Sequence, residues 1–187
     1  PLVLTYHTKY DVDIAKAVHG KLLQESAIRA LVQNIASCDE VGVVSRGAGE
    51  NLRSLGYEGG YIVMENGVDV PRGRVSDEAI AAATGRYDLP QNVPVFLFVG
   101  RLMWYKGIRI ILDALKTLCE KNVDFRMVFV GEGADGAEIR SYAEERKLSD
   151  RCFFTGAISD REIIRAWYGR SALYLFPSTF DTNGLVV

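Results

Sequence analysis

Two cations, Arg101 and Lys106, lie between an apolar run and a segment with helical periodicity. The apolar run, residues 93–99, ends at Gly100 and is typical of a strand that is buried on both faces. The helical segment covers about residues 108–119. A buried strand, a glycine turn and a helix N-terminus flanked by two positive charges form a suitable binding site for phosphate. The pattern therefore predicts a protein that binds a nucleotide or a nucleotide-sugar.

The overall charge limits the classes of partner. The 187 residues include 22 Lys and Arg against 24 Asp and Glu, which gives a formal net charge of −2. A general nucleic-acid binder would normally show a basic excess. No nucleic-acid partner is therefore expected, and any recognition of a polyanion has to be local.

Cysteines and hydropathy indicate the cellular setting. Cys38, Cys119 and Cys152 are odd in number, far apart and without a ligand-like spacing. We therefore expect free thiols in a reducing compartment and no metal site. No apolar run reaches about 18 residues and no signal peptide is recognisable, so the predicted location is cytoplasmic.

The elements that must position the cations follow a β/α alternation. The first 65 residues read as strand, helix, strand, helix, strand, with a helical break near Gly20 or Ser26 and a cap at Ser45. A short helix capped by Ser76 comes next, and a second series then starts at residue 93. Its last helix is expected after the capping-box spacing of Ser159 and Glu162. These patterns predict an α/β fold with two Rossmann-like parallel-sheet domains.

In open parallel sheets, ligands bind beyond the carboxyl ends of the strands. This rule collects loops that contain His7, Gly100 with Arg101, residues 131–133, residues 156–158 and residues 178–184. The run from Gly131 to Gly136 is the nearest approach to a dinucleotide fingerprint, but no acidic residue ends a strand about 20 positions further on. An NAD(P)-dependent oxidoreductase and a non-catalytic nucleotide-binding module therefore stay open as alternatives.

Five motifs together resemble the group 1 (family 4) retaining glycosyltransferases, whose fold is the two-domain GT-B type. They span most of the chain in the expected order. The motifs are Asn66-Gly67-Val68-Asp69, Phe98-Val99-Gly100-Arg101-Leu102 with Lys106-Gly107, Val130-Gly131-Glu132-Gly133, Phe154-Thr155-Gly156, and the run from Phe176 to Val186.

The resemblance implies roles for residues around the two cations. Arg101 and Lys106 would bind the diphosphate of a nucleotide-sugar and neutralise the leaving group, so that no metal and no cofactor is required. Gly100, Gly131 and Gly133 would allow close backbone approach to the donor. The backbone of Ile158 would meet the nucleobase.

Two further positions are implied as catalytic, His7 and Asp181. His7 would face the donor from the first domain. Asp181 matches the first acid of a Glu-x7-Glu motif and would contact the donor sugar, with the backbone of Thr182, Asn183 and Gly184 nearby. The chain has Asp where the family has Glu, and the second acid would fall at position 189, beyond Val187.

The resemblance also implies the reaction and the domain organisation. Residues 1–66 would form the second half of an acceptor domain and residues 67–187 most of a donor domain. The whole enzyme would transfer a sugar from a UDP- or GDP-linked donor to a lipid or glycan acceptor, with retention. Peripheral association with the inner face of the membrane is an option for such an enzyme. Both ends look truncated, so the chain by itself is expected to be inactive.

Overall fold

The computed structural model describes residues 1–67 and 73–178, apart from the side chain of Lys16. These residues form two compact units, one on either side of residues 68–72. Each unit contains a parallel sheet with helices connecting its strands. The prediction of two Rossmann-like α/β units is confirmed. The assignment of residues 1–66 to an acceptor domain and 67–187 to a donor domain stays a prediction.

The first unit contains a three-stranded parallel sheet in the order β1-β2-β3. Tyr6 pairs with Val43, and Val43 in turn pairs with Val63. The elements are β1 (Val3–Tyr6), α1 (Tyr10–Ala17), α2 (Lys21–Ala36), β2 (Glu40–Val43), α3 (Arg46–Ser54) and β3 (Ile62–Val63).

The second unit contains a four-stranded parallel sheet in the order β6-β5-β4-β7. The strand that precedes the two cations, β4, lies inside the sheet between β5 and β7. The elements are α4 (Asp77–Thr84), β4 (Val95–Val99), a 3₁₀ turn (Trp104–Lys106), α5 (Ile108–Glu120), β5 (Arg126–Val130), α6 (Gly136–Glu145), β6 (Cys152–Gly156), α7 (Arg161–Arg170) and β7 (Leu173–Tyr174).

Most helix starts follow the sequence signals. The hydroxyl oxygens of Ser45 and Ser76 accept hydrogen bonds from the N–H groups of Ala48 and Ala79, at 3.1 and 3.2 Å. The predicted break falls at Gly20, whose φ of 105° favours glycine. The capping-box prediction for Ser159 is wrong. Asp160 is the N-cap of α7, because its carboxylate accepts from the N–H of Glu162 at 2.8 Å.

Apolar side chains from both faces of the second sheet are buried. Phe98 and Phe129 pack on one side with Leu112 of α5. Leu97 and Val128 pack on the other side with Trp167 of α7. β4 is therefore buried on both faces, as its apolar run predicts. The first unit has its own core, which includes Tyr6, Val43 and Leu52.

Within the described part of the chain, every helix is too short or too polar to serve as a membrane span.

Candidate functional site

The loops that follow β4, β5 and β6 are joined by backbone hydrogen bonds at the carboxyl edge of the second sheet. The N–H of Gly100 donates to the carbonyl oxygen of Val130 at 2.9 Å, and that of Leu102 donates to Glu132 at 3.0 Å. On the other side, the N–H of Gly131 donates to the carbonyl oxygen of Gly156 at 2.9 Å. Three predicted site loops therefore form one continuous surface.

Gly131 and Gly133 are required by the contact between two of these loops. A Cβ atom at Gly131 would overlap the carbonyl oxygen of Gly100, and one at Gly133 would overlap that of Leu102. Gly131 also has a φ of 137°, which L side chains rarely adopt. Both glycines thus have a structural reason that involves no ligand, and their predicted contact with a donor stays a prediction.

The structure brings Arg101 and Lys106 to the same aromatic ring. The guanidinium carbon of Arg101 lies 6.0 Å from the ring centroid of Tyr105, and Nζ of Lys106 lies 5.4 Å from it. Lys106 Nζ also lies 5.6 Å from the ring centroid of Phe176. Both distances for Lys106 are in the range of cation–π attraction. Two positive charges are therefore concentrated at the edge where β4 ends.

The two cations differ in exposure. Arg101 is exposed, whereas Lys106 is only 8% exposed. A buried ammonium group is unusual for a surface loop, because desolvation of the charge is costly. Lys106 is therefore held in a defined position, while Arg101 can adapt to a ligand.

Gly107 joins the 3₁₀ turn to α5 in a left-handed conformation with a φ of 77°. A Cβ atom there would overlap the carbonyl oxygen of Pro177, which follows β7. The end of β7 thus packs directly behind the turn that carries Lys106. Only glycine permits this approach.

The remaining predicted residues occupy different places. Ile158 lies just beyond β6 and packs, half-buried, against the core on the α7 side of the sheet. His7 belongs to the first unit, where it is exposed at the carboxyl end of β1. Asp181, Thr182, Asn183 and Gly184 lie outside the described residues.

The residue before His7 is fixed by a hydrogen-bonded network. The hydroxyl group of the buried Tyr6 donates to Oδ1 of Asn51 at 2.8 Å, and Nδ2 of Asn51 donates to Asp11 at 3.4 Å. Burial raises the pKa of Tyr6 to about 12. Tyr6 is therefore a neutral hydrogen-bond donor throughout the physiological range.

Sequence reasoning missed Asp135 and Tyr105 at this edge. Asp135 accepts a hydrogen bond at 2.8 Å from the N–H of Trp104, which lies 31 positions earlier. A carboxylate directly after a glycine-rich strand end was the available signal, but its partner is not predictable from local pattern. Among the described residues, no three His, Cys, Asp or Glu side chains are grouped so that they could hold a metal ion.

The fold class and the family follow from comparison with known proteins. Residues 81–187, more than half of the chain, match the family described as glycosyl transferases group 1. The chain belongs to this family, and the resemblance drawn from the five motifs is confirmed.

Similar proteins extend over both units. The chain is 32% identical to 2-deoxystreptamine glucosyltransferase from Streptomyces kanamyceticus, over 65% of this chain and 32% of that protein. It is 22% identical to alpha-monoglucosyldiacylglycerol synthase from Streptococcus pneumoniae, over 99% of this chain and 43% of that protein. The chain thus spans less than half the length of these curated relatives.

A solved structure supports the fold. Sucrose-phosphate synthase from Thermosynechococcus elongatus superposes with a TM-score of 0.77 at 26% identity. The match covers 98% of this chain and 46% of that one. The GT-B type of fold predicted from the motifs is therefore confirmed.

Proposed function

We propose that the protein is a glycosyltransferase that moves a sugar from a nucleotide-sugar donor to a lipid or glycan acceptor. One observation carries this proposal: Arg101 and Lys106 converge on the Tyr105 ring at the carboxyl edge of the sheet. A diphosphate carries the complementary charge, and its recognition at a strand-to-helix turn is favoured by the helix N-terminus. Family membership supports sugar transfer over nucleotide binding without catalysis.

The roles of the two cations follow from their exposure. The buried ammonium of Lys106 would hold a phosphate oxygen at a fixed point, and the exposed guanidinium of Arg101 would close on the same group with two N–H donors. Both charges would stabilise the nucleoside diphosphate as negative charge develops on it. This arrangement would leave a divalent metal without a necessary role.

The chemical step would be a displacement with retention. The bond between the anomeric carbon of the donor sugar and the diphosphate oxygen breaks, and a bond to the acceptor hydroxyl oxygen forms on the same face. The hydroxyl proton passes to the departing phosphate. His7 and Asp181 would orient the donor sugar, and the backbone near Ile158 would meet the base.

The names of two relatives favour a small-molecule or lipid acceptor. One is a glucosyltransferase named for 2-deoxystreptamine and the other a synthase named for a diacylglycerol product. A lipid acceptor would require the protein to work at the inner face of the cytoplasmic membrane without a membrane span of its own. The NAD(P) alternative loses support, because Gly131 and Gly133 are already explained by packing against residues 100–102.

The test is calorimetric titration of the full-length protein with UDP and GDP. Arg101→Ala and Lys106→Ala should each weaken binding of the preferred diphosphate about tenfold to a hundredfold, since each removes a charge-assisted hydrogen bond. Lys116→Ala, which removes a partly exposed Lys from the middle of α5, is the matched control and should leave the affinity unchanged. Wild-type affinity in both site variants would refute the proposed clamp.

A further inference from the structure

We infer that Asp135 is a positioning residue, which holds the 3₁₀ turn that carries Lys106 in its binding geometry. The inference rests on the proposed function, because it concerns the same diphosphate site. Asp135 lies at the start of α6, whereas the turn belongs to the connection between β4 and α5. The two elements are linked through Asp135 at two points.

Both hydrogen-bonding groups of Asp135 are used on this connection. Its carboxylate oxygen Oδ2 accepts from the N–H of Trp104 at 2.8 Å, and its own N–H donates to the carbonyl oxygen of Leu102 at 3.3 Å. Trp104 is the first residue of the turn, so no carbonyl within the turn is available to its N–H. Asp135 therefore caps the turn from another element.

From Trp104 to Lys106 the turn has no other freedom. The N–H of Lys106 donates to Met103 at 3.0 Å, and the N–H of Gly107 donates to Trp104 at 3.0 Å. The position of the Trp104 backbone therefore determines where Lys106 leaves the turn. A displacement of about 1 Å is enough to weaken a charge-assisted contact substantially.

The side chain of Trp104 strengthens the same link to α6. Its Nε1–H donates to Oε2 of Glu138 at 3.0 Å, and its ring packs edge-on against Tyr142 at 5.5 Å. The guanidinium of Arg109 lies over both rings, 4.6 Å from Trp104 and 4.5 Å from Tyr142. The turn is thus attached to α6 by backbone and side chain together.

Charge separates this role from direct binding. Asp135 is negative, so direct contact with a diphosphate would be repulsive. If its carboxylate acted on the ligand by charge alone, Asp135→Ala and Asp135→Asn would both strengthen binding. If it acts by holding the turn, Asp135→Ala weakens binding, while Asp135→Asn, which keeps an oxygen acceptor, restores it.

The experiment titrates the full-length protein with UDP and GDP and, in parallel, with uridine and guanosine. For the preferred base, Asp135→Ala should weaken diphosphate binding about tenfold and leave nucleoside binding unchanged. Asp135→Asn should stay within about twofold of wild type, and so should the control Glu145→Ala, an exposed carboxylate at the end of the same helix. In a Lys106→Ala background, Asp135→Ala should cost about twofold or less, because both act through one contact.

Several outcomes overturn the inference. Unchanged affinity in Asp135→Ala, an equal loss for nucleoside and diphosphate, or tighter binding in both Asp135 variants would each do so. If Lys106→Ala and Arg101→Ala also bind like wild type, the proposed clamp fails together with it. If they weaken binding and Asp135→Ala does not, only the positioning role fails. Should Asp135→Ala not fold, Asp135→Glu carries the test, because it moves the acceptor by one methylene and should also weaken diphosphate binding.

Discussion

Gly131 and Gly133 occupy positions where a side chain would strike backbone atoms of a neighbouring loop. A glycine-rich strand end is commonly read as a place where a ligand approaches the backbone. Here the approaching group is the chain itself, at Gly100 and Leu102. The residue types are the same in both cases, and only the three-dimensional neighbours distinguish them.

Gly131→Ala and Gly133→Ala should therefore reduce the free energy of unfolding by about 2–4 kcal/mol each, through overpacking and, at Gly131, backbone strain. Gly136→Ala is the matched control, since the nearest atom to its new Cβ would be 3.7 Å away. It should be neutral or stabilising by up to about 1 kcal/mol, because alanine favours the first turn of α6. Urea unfolding measures all three, and equal stabilities would contradict the packing argument.

At the scale of elements, α7 starts one residue later than its capping-box spacing suggests. Asp160 and Ser159 are both good N-cap residues, and each is followed at a suitable distance by helix-forming positions. Asp160 prevails because its carboxylate reaches two N–H groups, those of Glu162 and Ile163. The helix is thereby placed so that Ala166 and Trp167 are buried.

The cap assignment predicts unequal effects of two neighbouring substitutions. Asp160→Ala should lower the free energy of unfolding by about 1 kcal/mol, because it removes the acceptor of two N–H groups. Ser159→Ala should change it by less than about 0.5 kcal/mol. Thermal and urea unfolding of both variants provide the measurement. A larger loss in Ser159→Ala would restore the capping-box assignment.

On the scale of the whole molecule, the two units have separate cores, and their buried groups respond to pH differently. In the second unit, burial together with the neighbouring charges of Cys119 and Asp150 raises the pKa of the Cys152 thiol to about 12. In an unfolded chain a thiol ionises near pH 8.5. The unfolded state therefore loses its proton first as the pH rises, and the folded state does not gain from ionisation.

The resulting stability change has a definite sign. The contribution of Cys152 is complete below about pH 8.5 and is lost progressively as the pH rises from there towards 12. Urea unfolding between pH 7 and pH 10 should show falling stability, with a shallower fall in Cys152→Ala. Cys38→Ala, which removes a thiol from the first unit, is the control. An identical slope in wild type and Cys152→Ala would contradict the prediction.

Local chemistry in the sequence determined the elements and much of the candidate site. The apolar run before Gly100 predicted a strand buried on both faces, and Ser45 and Ser76 predicted two helix starts. Arg101 and Lys106 were placed at the strand end because both lie within a few residues of it. Interactions that act over one or two turns can be read from neighbouring positions.

Tertiary structure alone decided how these parts meet. The hydrogen bond from Trp104 to Asp135 joins residues 31 positions apart, and it exists only because β4 and β5 pair in one register. The burial of Lys106 against Tyr105 and Phe176 likewise requires β7 to lie beside β4. Residues far apart in sequence come together only through sheet pairing and packing, which no local pattern encodes.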